Sequence, residues 1–345
     1  MKTYNIIELE RKGMILKSLY TKIFRLAENV QFKKQMKFKT PSHIQEKLDI
    51  VYGKDEQSNR FDIYYPKNLE GQKLPTILNI HGGGYIAGKK ENSAEYCRKL
   101  ANKGYCVINM EYTLADKEGF PKPVYDAFDL FDYISKDEEI MSHIDYDNFF
   151  IAGDSAGGHI ASSIANIQCN EDVKKEFNVS GGPKIKGLIL NSPVFGVFRF
   201  GNFPILKKNF EKLVFGKYRG SKIQQYCHNF DILNKNFPPT ITFSANNDFI
   251  RIHNSMFCKK AEALGLDVQS YNFVSGKHLS HDFIIFNTDG KEGQFALDKI
   301  DNFINNTMGN RLKKGVYKTK VNLSKKVKKE KRKETQQEMD LCLER

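Results

Sequence analysis

The spacing of apolar residues changes along the chain, and the changes predict a mixed α/β fold. The stretches KLDIVYG and RFDIYYP alternate apolar and polar residues, which favours two antiparallel strands. Five later stretches are almost wholly apolar, as expected for strands buried on both faces of a parallel sheet: LPTILNIH, GYCVINMEY, NFFIAG, IKGLILNSPV and PPTITFSA. Helical spacing fills the intervals between strands, at residues 91–102, 124–135, 156–169 and 253–264. This order predicts a mostly parallel central sheet flanked by helices.

Two regions depart from the alternation. Residues 5–38 carry apolar side chains at helical spacing, and we assign residues 1–44 to an N-terminal helical cap segment. A helix that only packs against the domain has the same pattern, so both interpretations stay open. Residues 195–236 are rich in Phe, Lys and Asn and predict a helical insertion over the carboxyl edge of the sheet.

The end of the domain is also predicted from the pattern. LDVQSYNFV is interpreted as the last strand and residues 295–304 as the closing helix, so that the α/β domain spans residues 45–310. Apolar residues become sparse beyond that point. Residues 311–345 therefore predict a basic, disordered tail.

Composition narrows the class of protein. The 345 residues include 26 Phe, 16 Tyr and no Trp, and 40% are hydrophobic, as in a globular protein. The six cysteines form no C-x-x-C pair and no zinc pattern with histidine, so we expect free thiols in a reducing compartment and no metal. No run approaches the roughly 18 apolar residues of a membrane helix, and the N-terminus lacks a signal-peptide pattern. These features predict a cytoplasmic protein.

The net charge of +13 comes mostly from the tail, where residues 311–345 hold 13 Lys or Arg against 5 Asp or Glu. The net charge therefore gives little information about the α/β domain, and it does not require a nucleic-acid partner. Two interpretations of the tail remain. It is either a solvated extension or a segment with weak, salt-dependent attraction to nucleic acid or a membrane surface.

The first candidate for chemistry is Ser155 in the stretch FIAGDSAGGHIA. Residues 153–157 read Gly-Asp-Ser-Ala-Gly and match G-x-S-x-G, a strand that turns sharply into a helix with the serine at the apex. Gly153 and Gly157 suit a turn in which a Cβ atom would clash. The alternative is an ordinary serine at the start of a helix of small residues, so a base, an acid and an oxyanion site are also needed.

An oxyanion site is predicted in NIHGGGYIAG, at the end of a buried strand. Gly82, Gly83 and Gly84 leave their backbone N–H groups open to a substrate oxygen. A flexible turn or a phosphate loop is the alternative, but the stretch contains neither G-x-G-x-x-G nor a Gly-Lys-Ser/Thr sequence. Paired with G-x-S-x-G, the loop indicates acyl-transfer chemistry.

These motifs resemble the hormone-sensitive-lipase-like branch of the α/β-hydrolase fold. HGGGY at 81–85 and GDSAGG at 153–158 are similar to that family's motifs. EYTLADKEGFPKPVYDA at 111–127 is similar to a family segment that usually reads Asp-Tyr-Arg-Leu-Ala-Pro-Glu and then Phe-Pro. Thr113 and Asp116 depart from that segment, which affects packing and loop shape more than chemistry. The resemblance covers residues 45–305 and implies an α/β-hydrolase with a helical cap.

The resemblance implies a triad in the chain order Ser, acid, His. The acid follows the next-to-last strand, where Asp248 comes after PPTITFSANN. Asp248 also suits a helix N-cap, and the two roles are compatible. Asp154 is a rival acid, but it adjoins Ser155 and is expected to point away from the base.

The base follows the last strand in YNFVSGKHLSHDFIIF, where both His278 and His281 are candidates. The family ends in His-Gly-Phe, and His281 precedes Asp-Phe, so the resemblance favours His281. His81 is expected to hold its loop through ring hydrogen bonds, and His159 to pack in the helix after Ser155. The four other histidines are interpreted as surface or packing residues: His43, His143, His228 and His253.

The resemblance therefore implies a serine hydrolase of carboxylic esters with short acyl chains, such as acetylated sugars or small xenobiotic esters. Ser155 would attack, His281 would carry the proton, and Asp248 would orient His281. Gly83, Gly84 and the N–H of Ala156 would form the oxyanion hole, with Gly82 shaping the loop and no cofactor required. Two alternatives remain: a non-catalytic receptor for a small molecule, and an amide or lactone hydrolase with the same triad. The sequence leaves the oligomeric state open.

Overall fold

The computed structural model describes residues 39–196, 204–274 and 279–323. Three predictions fall outside those ranges: the helical cap segment over residues 5–38, the alternative base His278, and the lysine-rich run at 325–333.

Within these described ranges, nine strands form one central sheet in the order β1-β2-β4-β3-β5-β6-β7-β8-β9. β2 pairs antiparallel with both β1 and β4, and all other neighbours are parallel. The predicted α/β class with a mostly parallel sheet and an antiparallel first pair is confirmed. The strands are β1 (Ile44–Val51), β2 (Arg60–Pro66), β3 (Leu74–Ile80), β4 (Cys106–Met110), β5 (Ile144–Asp154), β6 (Ile185–Asn191), β7 (Thr240–Ala245), β8 (Val268–Phe273) and β9 (Val316–Val321).

Helices cover the sheet and fill the connections between strands. In chain order they are α1 (Ala94–Ala101), α2 (Lys122–Lys136), α3 (Glu138–Met141), α4 (Ala156–Gln168), α5 (Glu171–Phe177), α6 (Pro204–Phe215), α7 (Lys222–Tyr226), α8 (Asn229–Ile232), α9 (Arg251–Leu264), α10 (Phe283–Phe286) and α11 (Lys291–Met308). Helices α6 to α8 lie between β6 and β7, the interval where the sequence predicts a helical insertion. None of the helices in the described parts of the chain is long and apolar enough to cross a membrane.

The core lies on both faces of the sheet, which explains why the central strands carry apolar residues on both of their faces. Ile77 and Leu78 are neighbours in β3 and are both fully buried, but they belong to two separate clusters of core residues. Successive side chains of a strand point to opposite faces, so each face needs its own apolar set. The cluster that contains Leu78 includes buried residues of α2 and α4, and the cluster that contains Ile77 includes buried residues of α1 and α11.

The parallel strands bring the candidate residues to one edge of the sheet. β3 ends before the three glycines, β5 ends at Asp154 directly before Ser155, and β7 ends three residues before Asp248. His281 follows β8. Because the carboxyl ends of parallel strands meet at the same edge, residues separated by more than a hundred positions become neighbours there.

The prediction of a disordered tail from residue 311 is wrong in its first part. Residues Val316–Val321 form β9, which pairs parallel with β8 at the edge of the sheet, so β8 is not the last strand. The Val274 N–H donates to the Val321 carbonyl at 3.0 Å, and Val321 is buried. An edge strand needs few apolar side chains because most of its surface faces water, and Lys is a common residue there.

Removal of β9 is expected to destabilise the fold. A chain ending at residue 310 should unfold at lower temperature than one ending at 323, with a free energy of unfolding about 2 kcal/mol lower. The loss comes from the hydrogen bonds between β8 and β9, each worth roughly 1 kcal/mol net. Thermal and urea unfolding of the two truncated proteins measures it. Equal stability of both would show that β9 does not contribute to the folded domain.

Candidate active site

Ser155 occupies a strained turn between β5 and α4. Its backbone has φ 50° and ψ −114°, a left-handed conformation that is uncommon for a residue with a side chain. The turn is possible because glycines lie two residues before and two residues after Ser155. A Cβ on Gly153 would press against the backbone of Gly157, and a Cβ on Gly157 would meet the Ile80 carbonyl. The sequence pattern therefore folds as a tight elbow with the serine at its apex.

Three side chains from separate loops form one hydrogen-bonded chain. Nε2 of His281 lies 2.8 Å from Oγ of Ser155, and its Nδ1 lies 3.0 Å from Oδ1 of Asp248. Ser155 and Asp248 are buried, whereas about a fifth of the His281 side chain is exposed. The structure thus brings together the three residues that the sequence analysis singles out as nucleophile, acid and base.

Asp248 lies in the loop after β7 and not at the helix N-cap. Helix α9 begins at Arg251, and Oδ1 of Asp248 accepts a hydrogen bond from the Ile250 N–H at 2.9 Å, which fixes the carboxylate. Burial raises the pKa of Asp248, but the hydrogen bond and charge of His281 outweigh it, so the pKa falls below its ordinary value. The group is therefore ionised at neutral pH and holds Nδ1–H of His281.

The glycine loop, residues 82–84, lies directly beside Ser155. Gly83 and Gly84 have φ values of 126° and 61°, which favour glycine. Among the described residues, none accepts a hydrogen bond from the N–H groups of Gly83, Gly84 or Ala156. The N–H of Gly82 is different, because it donates to Oδ2 of Asp154 at 3.0 Å. Asp154 therefore anchors the loop, while the other three N–H groups are available to a ligand.

His81 fixes the start of the glycine loop. Its Nδ1 donates to the Gly82 carbonyl at 2.7 Å and its Nε2 to Oε1 of Glu111 at 3.1 Å, and its ring stacks on Tyr112. Burial lowers the pKa of His81, but the Glu111 carboxylate outweighs it and the pKa rises above its ordinary value. A ring that donates from both nitrogens suits the protonated form.

His159 connects the elbow helix to the insertion. Its Nδ1 accepts from the Tyr85 hydroxyl at 3.0 Å, and its Nε2 donates to the Cys227 carbonyl at 2.9 Å. Burial lowers the pKa of His159 to about 3, so the ring stays neutral. Its position agrees with a packing role. The contact also joins the residue after the glycine loop to the segment between α7 and α8.

A cavity of about 320 Å³ opens over Ser155. Its floor is the glycine loop and the elbow, and its walls are mostly apolar. Those walls come from the turn after β6, the insertion, the loop after β7 and helix α10, through Val194, Phe210, Phe249, Ile250, Ile285 and Phe286. The arrangement suits a small ligand with an apolar part near Ser155.

Sequence reasoning did not identify two residues of the site. Glu111 holds His81, and its only signal was a place in the segment similar to Asp-Tyr-Arg. Asp282 places Oδ2 2.9 Å from Nε2 of His281, the same nitrogen that faces Ser155. The signal for Asp282 was present, because it stands where the resembled family has Gly in His-Gly-Phe.

The described residues include no group of three or more His, Cys, Asp or Glu side chains placed to hold a metal ion. The five cysteines within the described ranges are free thiols.

Known proteins that are similar to this chain in sequence or structure agree with the α/β fold described above. Protein R526 of Acanthamoeba polyphaga mimivirus, named as an alpha/beta hydrolase, is 23% identical over 229 residues, 62% of each chain. Carboxylesterase 20 of Arabidopsis thaliana is 32% identical over 136 residues, 37% of this chain and 39% of that protein. The matches thus span less than two thirds of either relative. An inhibited esterase B from Lactobacillus rhamnosis superposes with a TM-score of 0.78 at 20% identity, covering 85% of this chain and 97% of that one.

The family model BD-FAE matches residues 61–260, a range that contains the glycine loop, the elbow and Asp248. The match extends over more than half of the chain. This chain therefore belongs to the BD-FAE family, a family of α/β-hydrolase esterases.

Proposed function

We propose that this protein is a serine hydrolase of carboxylic esters with short acyl chains. One observation carries the proposal: both ring nitrogens of His281 are within hydrogen-bond distance of a partner, Ser155 on one side and Asp248 on the other. This is the geometry in which an imidazole can take a proton from a serine while a carboxylate holds it in the required tautomer. Membership of an esterase family supports the same chemistry.

In the acylation step, Oγ of Ser155 attacks the ester carbonyl carbon while its proton moves to Nε2 of His281. The carbonyl π pair moves to oxygen, and the N–H groups of Gly83, Gly84 and Ala156 donate to that oxyanion. Each well-placed donor is worth about 3 kcal/mol in the transition state. His281 then gives its proton to the leaving alkoxide, and the acyl group remains on Ser155.

Deacylation repeats these transfers with water. Nε2 of His281 takes a proton from water, the hydroxide attacks the acyl carbon, and the oxyanion is again held by the three amides. Collapse of the second intermediate breaks the bond to Ser155, and His281 returns the proton to Oγ. Asp248 stays ionised throughout and stabilises the imidazolium that forms in each half-reaction.

The cavity size supports short acyl chains. A volume of about 320 Å³ lies at the lower end of the range for small-molecule sites, and the apolar walls are close to Ser155. Acetylated sugars and small xenobiotic esters are substrates of the proposed class. The relative named carboxylesterase 20 supports the ester bond as the point of attack.

A panel of p-nitrophenyl esters from acetate to palmitate, assayed beside the matching aryl amides, tests the proposal. We expect kcat/KM to be highest for acetate or butyrate and at least about tenfold lower for palmitate. The methylenes of a long acyl chain that do not fit in the cavity stay in water and contribute no burial energy. Wild-type protein and Ser155→Ala from parallel preparations give the enzyme-specific rate. Amide turnover that equals or exceeds ester turnover would favour the amidase alternative, and binding without turnover would favour a receptor.

A further inference from the structure

Nε2 of His281 has two oxygen neighbours and not one. Oγ of Ser155 lies at 2.8 Å and Oδ2 of Asp282 lies at 2.9 Å. Asp282 is buried and has a left-handed backbone, with φ 53°. Its N–H donates to the Ser192 hydroxyl at 3.2 Å. The backbone thus fixes this carboxylate against the nitrogen that must receive the serine proton.

The imidazole therefore lies between two carboxylates, Asp248 at Nδ1 and Asp282 at Nε2. A neutral ring with its proton on Nδ1 directs the Nε2 lone pair at an oxygen of Asp282, which is unfavourable while that carboxylate is ionised. A proton between Nε2 and Oδ2 removes the repulsion and forms a charge-assisted hydrogen bond. The geometry favours the state in which Nε2 is already occupied.

We propose that Asp282 is a further catalytic residue, which holds a proton against Nε2 of His281 and so sets the pH at which Ser155 is activated. This inference rests on the proposed function, because it assigns a role within the same proton transfer. The resembled family usually ends in His-Gly-Phe, so its motif assigns no role to a carboxylate at this position.

The charged groups around the ring agree with this assignment. Burial alone would lower the pKa of His281, but the charge of Asp282 and the hydrogen bond to Asp248 raise it to about 10. Asp154, at the end of β5, faces the same pair, and burial followed by the charge of Asp282 raises its pKa to about 8. His81 lies beyond Asp154 and offsets part of that effect. The free base form of His281 therefore increases as pH rises above neutrality.

Asp282 affects the transition state as well as the resting state. When Oγ of Ser155 bonds to the acyl carbon, its proton moves to Nε2, and Nε2–H can donate to Oδ2 of Asp282. The proton then passes to the leaving alkoxide. The Asp282 carboxylate makes His281 a stronger base, whose neutral form is populated only at higher pH. Asp282 therefore slows ester hydrolysis near neutrality and speeds it in alkaline solution.

The test compares pH profiles of wild type, Asp282→Asn and Asp282→Gly. Both replacements tolerate φ 53° well, because Asn and Gly are the residues that most readily adopt the left-handed conformation. Asp298→Asn is the matched control, since Asp298 is an exposed carboxylate on helix α11 that pairs with Lys103. Two rates are measured from pH 5.5 to 10.5: kcat/KM for p-nitrophenyl acetate, and labelling of Ser155 by a fluorophosphonate.

In both Asp282 variants, we expect the rate to rise with pH at a value more than about one pH unit lower than in the wild type. An imidazole without Asp282 beside it titrates nearer its ordinary value. The variants should be faster than wild type at pH 6 and slower at pH 10, so that the profiles cross. Asp298→Asn should follow wild type. If the pH at which the rate rises does not move, or moves equally in Asp298→Asn, the role of Asp282 is overturned and the proposed function is not. Absence of Ser155 labelling at every pH would overturn the proposed function together with it.

Discussion

Replacement of Ser155 by alanine is expected to lower kcat for ester hydrolysis by at least about 10⁴-fold, the scale of removing a nucleophile. No other hydroxyl lies within hydrogen-bond distance of Nε2 of His281 among the residues that the structure describes. The glycine loop would still bind the carbonyl oxygen, but no covalent intermediate could form. Initial rates on p-nitrophenyl acetate, with enzyme at high concentration, measure the loss.

The fold should be retained in this variant, because alanine differs from serine only by the hydroxyl. Ser135→Ala is a suitable control, since Ser135 lies exposed at the end of helix α2 and its hydroxyl donates to the Asp132 carbonyl at 2.8 Å. The control should keep wild-type turnover. More than a few per cent of wild-type activity in clean, folded Ser155→Ala would remove Ser155 from the role of nucleophile.

Replacement of His281 by glutamine is expected to lower kcat by about 10³-fold or more, with a smaller change in KM. Glutamine fills similar space but cannot take the serine proton, and it leaves the Asp248 carboxylate without its partner. The effect should therefore appear at the chemical step and at every pH between 6 and 10. Steady-state kinetics over that range measures it.

His278→Gln is the matched control, because it removes the same functional group three residues earlier. We expect this variant to lose less than about tenfold in kcat and to keep the wild-type pH profile, as expected for a residue that does not carry the proton. If the losses were reversed between the two variants, His278 would be the base. The alignment of His281 with the family histidine would then be wrong.

The apolar runs predicted the strands well because buried parallel strands leave little choice of residue. Ile77 and Leu78 belong to different core clusters, so β3 carries apolar residues on both faces and its sequence does not alternate between apolar and polar. The order of the strands was not predicted. β4 lies between β2 and β3 because the connection through α1 crosses over, and no local pattern encodes that crossover.

β9 was missed for a physical reason. Its sequence, VYKTKV, is mostly exposed at the sheet edge, and only Val321 is buried. Hydrophobic periodicity identifies residues that face a core, and in this strand only the two end residues, Val316 and Val321, pack against one. The basic composition beyond residue 310 therefore resembled a solvated tail, although backbone pairing with β8 holds the strand in the sheet.

The candidate site was predicted from its motifs, except for one contact of His281. Motifs indicated that Ser155, Asp248 and His281 would meet, and the structure places them within hydrogen-bond distance. The left-handed turn at Asp282 brings a second carboxylate to Nε2, and such a contact depends on a single backbone angle that no motif contains.

The central claim, that Ser155 is an activated nucleophile, is tested most directly by covalent labelling with a fluorophosphonate. The wild-type protein is incubated with the probe, digested, and mapped by mass spectrometry. We expect stoichiometric modification at Ser155, within the peptide that contains GDSAGG, and none in Ser155→Ala or at other serines of the folded protein. Modification of a different serine, or no modification of the folded wild type at any pH between 6 and 10, would contradict it.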